Sequence, residues 1–481
     1  MSNSSILWSL EQAFQSFQLI FLLYFILLNG SYIGLNFLSL IALRVYADRH
    51  GLDRIRHTHT GFDPPISILV PAYNEEAGIG PSVRSLLQLD YPEFEIIVIN
   101  DGSKDGTLAE LQREFDLRLF PEAYLRKLPC KDVRAVYRSL RHPNLRVIDK
   151  DNGGKADALN AGINAARYPL FCAVDADSIL QRDSLTRVVQ PFLEDPLTIV
   201  SGGTIRIANG CEISSGFLVS IGIPANWLAR FQVVEYLRAF LFGRLGWSPL
   251  NSVLIVSGAF GLFRKEVVVK AGGYRTDTVG EDMELIMRLH RLYRLRGEPY
   301  RVTFVPDPIC WTEAPESLKV LGSQRTRWQR GLIESLMMNR QLLFHPRGGA
   351  AGWLAFPFYV LFEALSPILE VIGYAGMILG LVLGVFSWEA FSTLMLLTIL
   401  FGILLSVSAL LLEEMSFHMY PKPAQLARLF ASAIIENFGY RQINTFWRFQ
   451  GTMRWLVGAR QRWGDMTRSG ALNADRGLGP Q

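Results

Sequence analysis

Cysteine is scarce: Cys130, Cys172, Cys211 and Cys310 are the four in 481 residues, far apart and without a CxxC pair. That spacing excludes a disulfide framework and a cysteine zinc site, and fits reduced thiols in a cytosolic compartment. Charge is short as well. Asp, Glu, Lys and Arg supply 19% of the chain, where soluble domains average about 25%. The 48 basic and 44 acidic residues leave a net charge of +4. This composition excludes disorder, collagen, coiled coil and a dedicated nucleic-acid binder. In their place is an apolar surplus, with 49% hydrophobic residues and a mean hydropathy of +0.19. An isoelectric point of 8.8 fits positive charge beside a bilayer.

The surplus is concentrated. Gln12 to Leu43 runs 32 residues without a charge, Val371–Trp388 gives 18 and Ala390–Leu412 gives 23. The first is long enough to cross a hydrocarbon core of ~30 Å. It is too long, and lacks the basic leader, for a cleavable signal peptide. Arg44, Arg49, Arg54 and Arg56 follow it, whereas Glu11 is the only charge before it. Positive-inside bias therefore predicts an outside N-terminus and a cytoplasmic segment from residue 44. Arg340, Arg347, Lys422 and Arg428 place the flanks of the later spans on the same side. Trp353–Glu370 carries Glu363, Glu370, Pro357 and Pro367. It reads either as an interfacial lead-in or as a kinked span whose acids face a polar path, and the second reading is preferred. Between Pro423 and Gly458, charges interrupt aromatic and aliphatic residues as in helices lying on a membrane surface. Expected divisions are 1–61 (first span and basic linker), 62–345 (a cytoplasmic domain), 346–415 (spans) and 416–481 (interfacial helices and tail).

Within 62–345, Ile66–Tyr73, Phe94–Asp101, Leu145–Lys150 and Leu170–Asp177 are short Val/Ile/Leu-rich runs ending in polar residues. Helix-like stretches such as Pro81–Leu89 and Lys155–Ala166 follow. This alternation predicts parallel strands with crossover helices, whose ligand lies beyond the carboxyl ends of the strands. Asp175 and Asp177, two apart at such an end, offer hard oxygen ligands to Mg²⁺ or Mn²⁺. A lone pair of this kind is more often a turn or an N-cap, and Asp101 in Asp-Gly-Ser is by itself an ordinary turn. Asn152-Gly-Gly-Lys155 lacks P-loop spacing, yet it can bring a cation and backbone N–H groups to a diphosphate. Asp282 opens a helix, where a carboxylate often does no more than complement the dipole.

Taken in order, Asp101, Asp175-x-Asp177, Glu281-Asp282 and Gln324-x-x-Arg327-Trp328 resemble the D, DxD, ED and QxxRW series of glycosyltransferase family 2. The last element points to its processive membrane synthases of cellulose, hyaluronan, chitin oligomers and poly-N-acetylglucosamine. The resemblance covers about residues 62–345 and implies an inverting α/β GT-A (Rossmann-like) cytoplasmic domain with α-helical transmembrane segments at both ends. It gives Tyr73 a stacking role on uracil, Glu75 and Asp101 the ribose and base, and Lys155 the diphosphate. Asp175 and Asp177 would hold a nucleotide-bound Mg²⁺ or Mn²⁺. Asp282, with Glu281 beside it, would be the general base. Arg327 would meet the leaving diphosphate. Gln324 and Trp328, with Ser257, Gly258 and Phe260, would form the acceptor end. Gly280 stands where this family commonly has Thr, a departure that bears on helix capping.

The resemblance implies a plasma-membrane, multi-pass enzyme extending a β-glycan from a UDP-sugar, with a glycan or lipid acceptor, membrane lipids and a possible export subunit as partners. With 23 residues after Gly458, a cyclic-dinucleotide-binding regulatory domain is not expected. The modest number of spans keeps open transfer of a single sugar to a lipid or polyprenyl carrier. The intact acids argue against a catalytically silent scaffold.

Overall fold

The computed structural model describes residues 3–51, 63–214, 216–384 and 388–458. Arg54 and Arg56, used above to orient the chain, and the tail after Gly458 lie outside the described residues.

The strands are β1 (Ile66–Ala72), β2 (Phe94–Asp101), β3 (Leu117–Leu119), β4 (Val133–Ser139), β5 (Leu145–Lys150), β6 (Leu170–Val174), β7 (Ile179–Leu180) and β8 (Thr198–Ile207). A small hairpin of β9 (Glu212–Ser214) and β10 (Phe217–Ser220) follows, then β11 (Phe260–Arg264) and β12 (Arg301–Thr312). All but the hairpin join one ten-stranded sheet in the order β3-β4-β5-β2-β1-β6-β11-β8-β12-β7. Every residue of β5, β6 and β8 is buried, which requires cover on both faces and fits the unbroken apolar run of β6. Helices Ile79–Leu87, Thr107–Phe115, Lys155–Ala165 and Ser184–Glu194 supply part of that cover.

The parallel sheet expected from the sequence is only part of this. The run β5-β2-β1-β6 is parallel, whereas β11 is antiparallel to both β6 and β8, and β4 to β5. An apolar run fixes burial but carries no direction, and β11 is reached from a long excursion over 208–259. The consequence for the site is favourable. Strand order reverses between β1 and β6, so the ends carrying Tyr73, Asp101 and Asp175 flank the crevice where open α/β sheets bind ligands.

Among the described residues two helices, Leu19–Asp48 and Phe391–Ser416, are long and apolar enough to cross a membrane, by length and composition. A third span results if Ala351–Ala364 and Ser366–Val382, bent by 43°, count as one. The kink preferred from the sequence is therefore present, and the 351–364 arm is largely π-helical. Pro367 removes a backbone donor at the bend. Its acids turn inward: Glu363 accepts from Tyr32 Oη at 2.6 Å and Arg448 Nη2 at 2.9 Å, and Glu370 accepts from Thr445 Oγ1 at 2.6 Å. Helices Pro423–Ile435 and Tyr440–Leu456 follow, with Phe438, Ile443 and Phe446 exposed. The second also does something the sequence did not suggest, packing closely on helix Leu318–Met338. A Cβ on Gly451 would lie 2.7 Å from the Thr326 carbonyl, and one on Gly322 2.7 Å from the Trp447 indole nitrogen.

Candidate active site

The end of β1 leaves Tyr73 exposed (39%) at the mouth of a cleft. The loop behind it is tied to the end of β2: Glu75 N–H donates to Thr107 Oγ1 at 2.9 Å and Lys104 N–H to Asn74 Oδ1 at 2.9 Å. Asp101 is buried and heavily engaged. Its carboxylate accepts from Gly153 N–H at 3.0 Å, Gly154 N–H at 2.7 Å and Lys150 Nζ at 2.5 Å. These contacts fix the Asn152–Lys155 loop, and Asp101 lines the cleft together with it.

Asp175 and Asp177 lie in the turn joining β6 to β7, both partly exposed to the cleft. The helix that an N-cap role would need begins only at Ser184. Lys155 Nζ forms an ion pair with Asp175 Oδ1 and donates to the Gly258 carbonyl at 3.2 Å. Gly258 N–H in turn donates to Asp282 Oδ2 at 3.0 Å. A Cβ there would lie 2.9 Å from Lys155 Nζ and 3.3 Å from Asp282 Oδ2, so a larger residue would displace the ammonium. Burial works against the Lys155 ammonium, but Asp175, Glu281 and Asp282 outweigh it and raise its pKa. Glu281 is pushed up to about 7 by burial, with Lys155 opposing and Asp282 adding. Burial lowers Arg327, against the fields of Glu281, Asp175 and Asp282.

The departure from Thr at Gly280 has a steric cause. A Cβ on Gly280 would lie 2.8 Å from Gly331 Cα, and one on Gly331 2.9 Å from Gly280 Cα. Two glycines thus let the 278–280 loop lie directly against helix Leu318–Met338, where Glu334 accepts from Thr278 Oγ1 at 2.8 Å and Val279 N–H at 3.1 Å. This contact carries Asp282 alongside Gln324, Arg327 and Trp328, all of which line the cleft. Trp328 is 44% exposed, so it is not core packing, and Arg325 lies 4.4 Å from its ring centroid. Phe260 does not join them. It is fully buried in β11, opposite Val174, and lines no part of the cleft. Alternation along the strand turns it inward just after Ser257, Gly258 and Ala259 have reached the cleft.

The cleft is continuous, of about 1880 Å³, from Tyr73 and Asp101 past Asp177, Asp282 and Trp328 to Tyr32, Tyr359, Glu363, Asn444 and Arg448. One end therefore rests on the strand ends and the other on the apolar helices.

Comparison with known proteins matches the model of glycosyl transferase family 2 at residues 67–268, and that of glycosyl transferase family group 2 at residues 170–412. The second alone spans half the chain. The chain belongs to glycosyl transferase family group 2. The fold is accordingly the α/β GT-A type that the motif series implied, and the apolar helices mark this glycosyltransferase as membrane-associated. Poly-beta-1,6-N-acetyl-D-glucosamine synthase of Staphylococcus aureus is 32% identical over 310 residues, 64% of this chain and 62% of that protein. The synthase of the same name from Staphylococcus epidermidis is 30% identical over 273 residues, 56% of this chain and 55% of that protein. The match thus spans less than two thirds of these relatives. Among solved structures, a mannosyltransferase from Pyrobaculum calidifontis in complex with GDP-Man and Mn²⁺ aligns over 90% of this chain and all of its own, at 18% identity and a TM-score of 0.49.

Lys150 escaped the sequence reading, where it served only as the end of a strand. It is fully buried between Asp101 and Asp157, at 2.5 and 2.6 Å. Lys150→Met would leave two buried carboxylates without their cation, so a destabilisation of about 3–5 kcal/mol is expected. Thermal unfolding checks this, and an unchanged melting temperature would contradict it.

Proposed function

We propose that this glycosyltransferase extends a β-linked glycan processively from a UDP-sugar, with inversion at the anomeric carbon. The observation that carries the reading is the single cleft joining the strand-end acids to the helices that flank the membrane. A one-sugar transferase has no need of so long a groove beyond its acceptor platform. The synthase relatives favour UDP-N-acetylglucosamine as donor and a β-1,6-linked N-acetylglucosamine polymer as product.

In this reading Tyr73 stacks on the uracil, and the loop shaped by Asp101 presents its backbone toward the diphosphate. Glu75 contributes at the ribose. Lys155, held between acids, and Arg327 face the charge that grows on the leaving group. Asp282 takes the proton of the attacking acceptor hydroxyl, its carboxylate fixed by N–H donors from Gly258 and Met283. Glu281 flanks that base, and Gln324 and Trp328 hold the acceptor sugar, whose apolar face suits an indole. Attack opposite the leaving group turns an α-linked donor into a β-linkage.

The residues fit a divalent ion. No group of three His, Cys, Asp or Glu able to hold a metal occurs among the described residues. The two strand-end carboxylates are instead the sparse donor set typical of Mg²⁺ or Mn²⁺ sites completed by substrate phosphates and water. Asp177 would be the principal ligand, with Asp175 also paired to Lys155. When bound, the ion neutralises charge on the departing diphosphate.

The orientation assigned here is a cytoplasmic catalytic domain in the plasma membrane, N-terminus outside, with lipids and an export subunit as further partners. Inside-out vesicles given a panel of UDP-sugars with Mn²⁺ or Mg²⁺ should release UDP and yield polymer on sizing. Sealed right-side-out vesicles should not, since the donor is impermeant. Product limited to one sugar on lipid across all donors would overturn processive synthesis, and turnover only in right-side-out vesicles would overturn the orientation.

A further inference from the structure

Arg244 has no role in any motif above, yet it lines the cleft. It follows the π-helical turn Arg238–Phe242, and its guanidinium lies 3.7 Å from the centroid of the Phe240 ring. Beside it, Gly246 approaches the N-terminal helix so closely that a Cβ would lie 2.7 Å from the Leu35 carbonyl. The residue therefore sits where the catalytic domain meets the membrane helices, in the fields of Tyr359, Asp282 and Tyr236.

Its polar atoms are unspent. Nε and Nη1 are buried and have no hydrogen-bond partner. Four other cations of the cleft are committed to carboxylates: Lys155 to Asp175, Arg238 to Glu436, Arg325 to Glu235 and Arg448 to Glu363. Two buried guanidinium nitrogens without hydrogen-bond partners are costly, so a ligand oxygen is the natural completion of the site. Three more buried polar atoms of residues lining the same cleft lack partners, the acceptors Gln324 Oε1 and Asn444 Oδ1 and the donor Arg325 Nε. A cation that donates and amide oxygens that accept form a mixed set. It suits a neutral polyhydroxy chain, whose hydroxyls do both, whereas the amide oxygens would repel a phosphate.

We propose that Arg244 is an acceptor-binding residue, donating from Nε and Nη1 to a hydroxyl or acetamido oxygen of the glycan that rests on Trp328 beside Asp282. The Phe240 face holds the guanidinium plane, and Gln324 and Asn444 accept from hydroxyls further along the chain. This inference rests on the glycan-synthase reading.

The test uses the full chain in nanodiscs, with a β-1,6-linked N-acetylglucosamine oligosaccharide and UDP as separate calorimetric probes. Arg244→Met keeps length and apolar contact with Phe240 but removes the donors. It should weaken oligosaccharide binding roughly ten- to a hundred-fold and leave UDP affinity as in wild type, with Arg244→Lys recovering part of the loss. Unchanged oligosaccharide affinity in Arg244→Met would overturn the proposal. So would equal loss of both ligands with a lowered melting temperature in both variants, the mark of a packing role. Wild type that turns over UDP-sugars but does not bind the oligosaccharide also overturns it. Wild type that binds the oligosaccharide in an Arg244-dependent way but turns over no UDP-sugar supports the site and instead defeats the synthase reading.

Discussion

Asp282→Asn is expected to lower sugar transfer by roughly 10²–10⁴-fold, the usual worth of a positioned general base, while UDP affinity stays at the wild-type level. The substitution keeps the shape of the side chain, and the amide oxygen can still accept from Gly258 N–H, so the loop that also carries the Lys155 contact need not move. What disappears is the ability to take a proton from the acceptor hydroxyl. The loss should therefore fall on turnover and not on nucleotide binding, the pattern of an interaction made in the transition state. Calorimetric titration with UDP beside the rate of glycan formation separates the two. A parallel fall in UDP affinity would move Asp282 into the donor site and remove it as the base. The neighbouring Glu281 provides an internal contrast. Pushed up to about 7 mainly by burial, its carboxyl holds a proton over much of the range in which Asp282 must accept one.

The residues with chemistry were legible in the sequence because they recur as a spaced series. Asp101, Asp175, Asp177, Asp282, Gln324, Arg327 and Trp328 all reach one cleft. The first strands were legible too, since Leu145–Lys150 and Phe94–Asp101 keep the bounds that their apolar runs suggest. Contacts between distant segments were not. Nothing local to Gly331 tells that it faces Gly280, and nothing local to Lys150 reveals that two carboxylates close over it. Arg448 reads as one charge among several on an interfacial helix. Only folding brings it to Glu363, and only then does Glu363 become the polar end of the cleft instead of an oddity in an apolar segment. Phe260 shows the opposite error. It stands two residues after Gly258, but the extended chain that brings Gly258 to the cleft carries Phe260 into the core. Direction was the remaining gap, because burial on both faces produces the same apolar run in a parallel strand and in β11.

The two strand-end carboxylates are not equivalent in this structure, and their difference gives a second large effect. Asp175 is held by Lys155, which continues through the Gly258 carbonyl to the base. Asp177 lines the same cleft two residues further along the turn. Asp177→Asn removes an anionic oxygen with little change of shape, so at the Mn²⁺ or Mg²⁺ concentration that saturates wild type it should lose most of the gain in UDP release. The expected loss is on the order of 10²-fold or more, given several kcal/mol of charge stabilisation from a catalytic metal. Chelation of wild type by EDTA should have the same effect and reverse on adding back either ion. Asp175→Asn should behave differently. It frees Lys155 from its partner beside Asp282, so its defect should persist at saturating metal, whereas that of Asp177→Asn should ease as metal concentration rises. Melting temperature guards the comparison, since Lys155 loses a partly buried partner only in the Asp175 variant. Equal metal dependence in the two variants would show that both carboxylates ligate alike. Full activity in EDTA, together with an undiminished Asp177→Asn, would remove the metal from this site and leave Lys155 and Arg327 to carry the diphosphate charge alone.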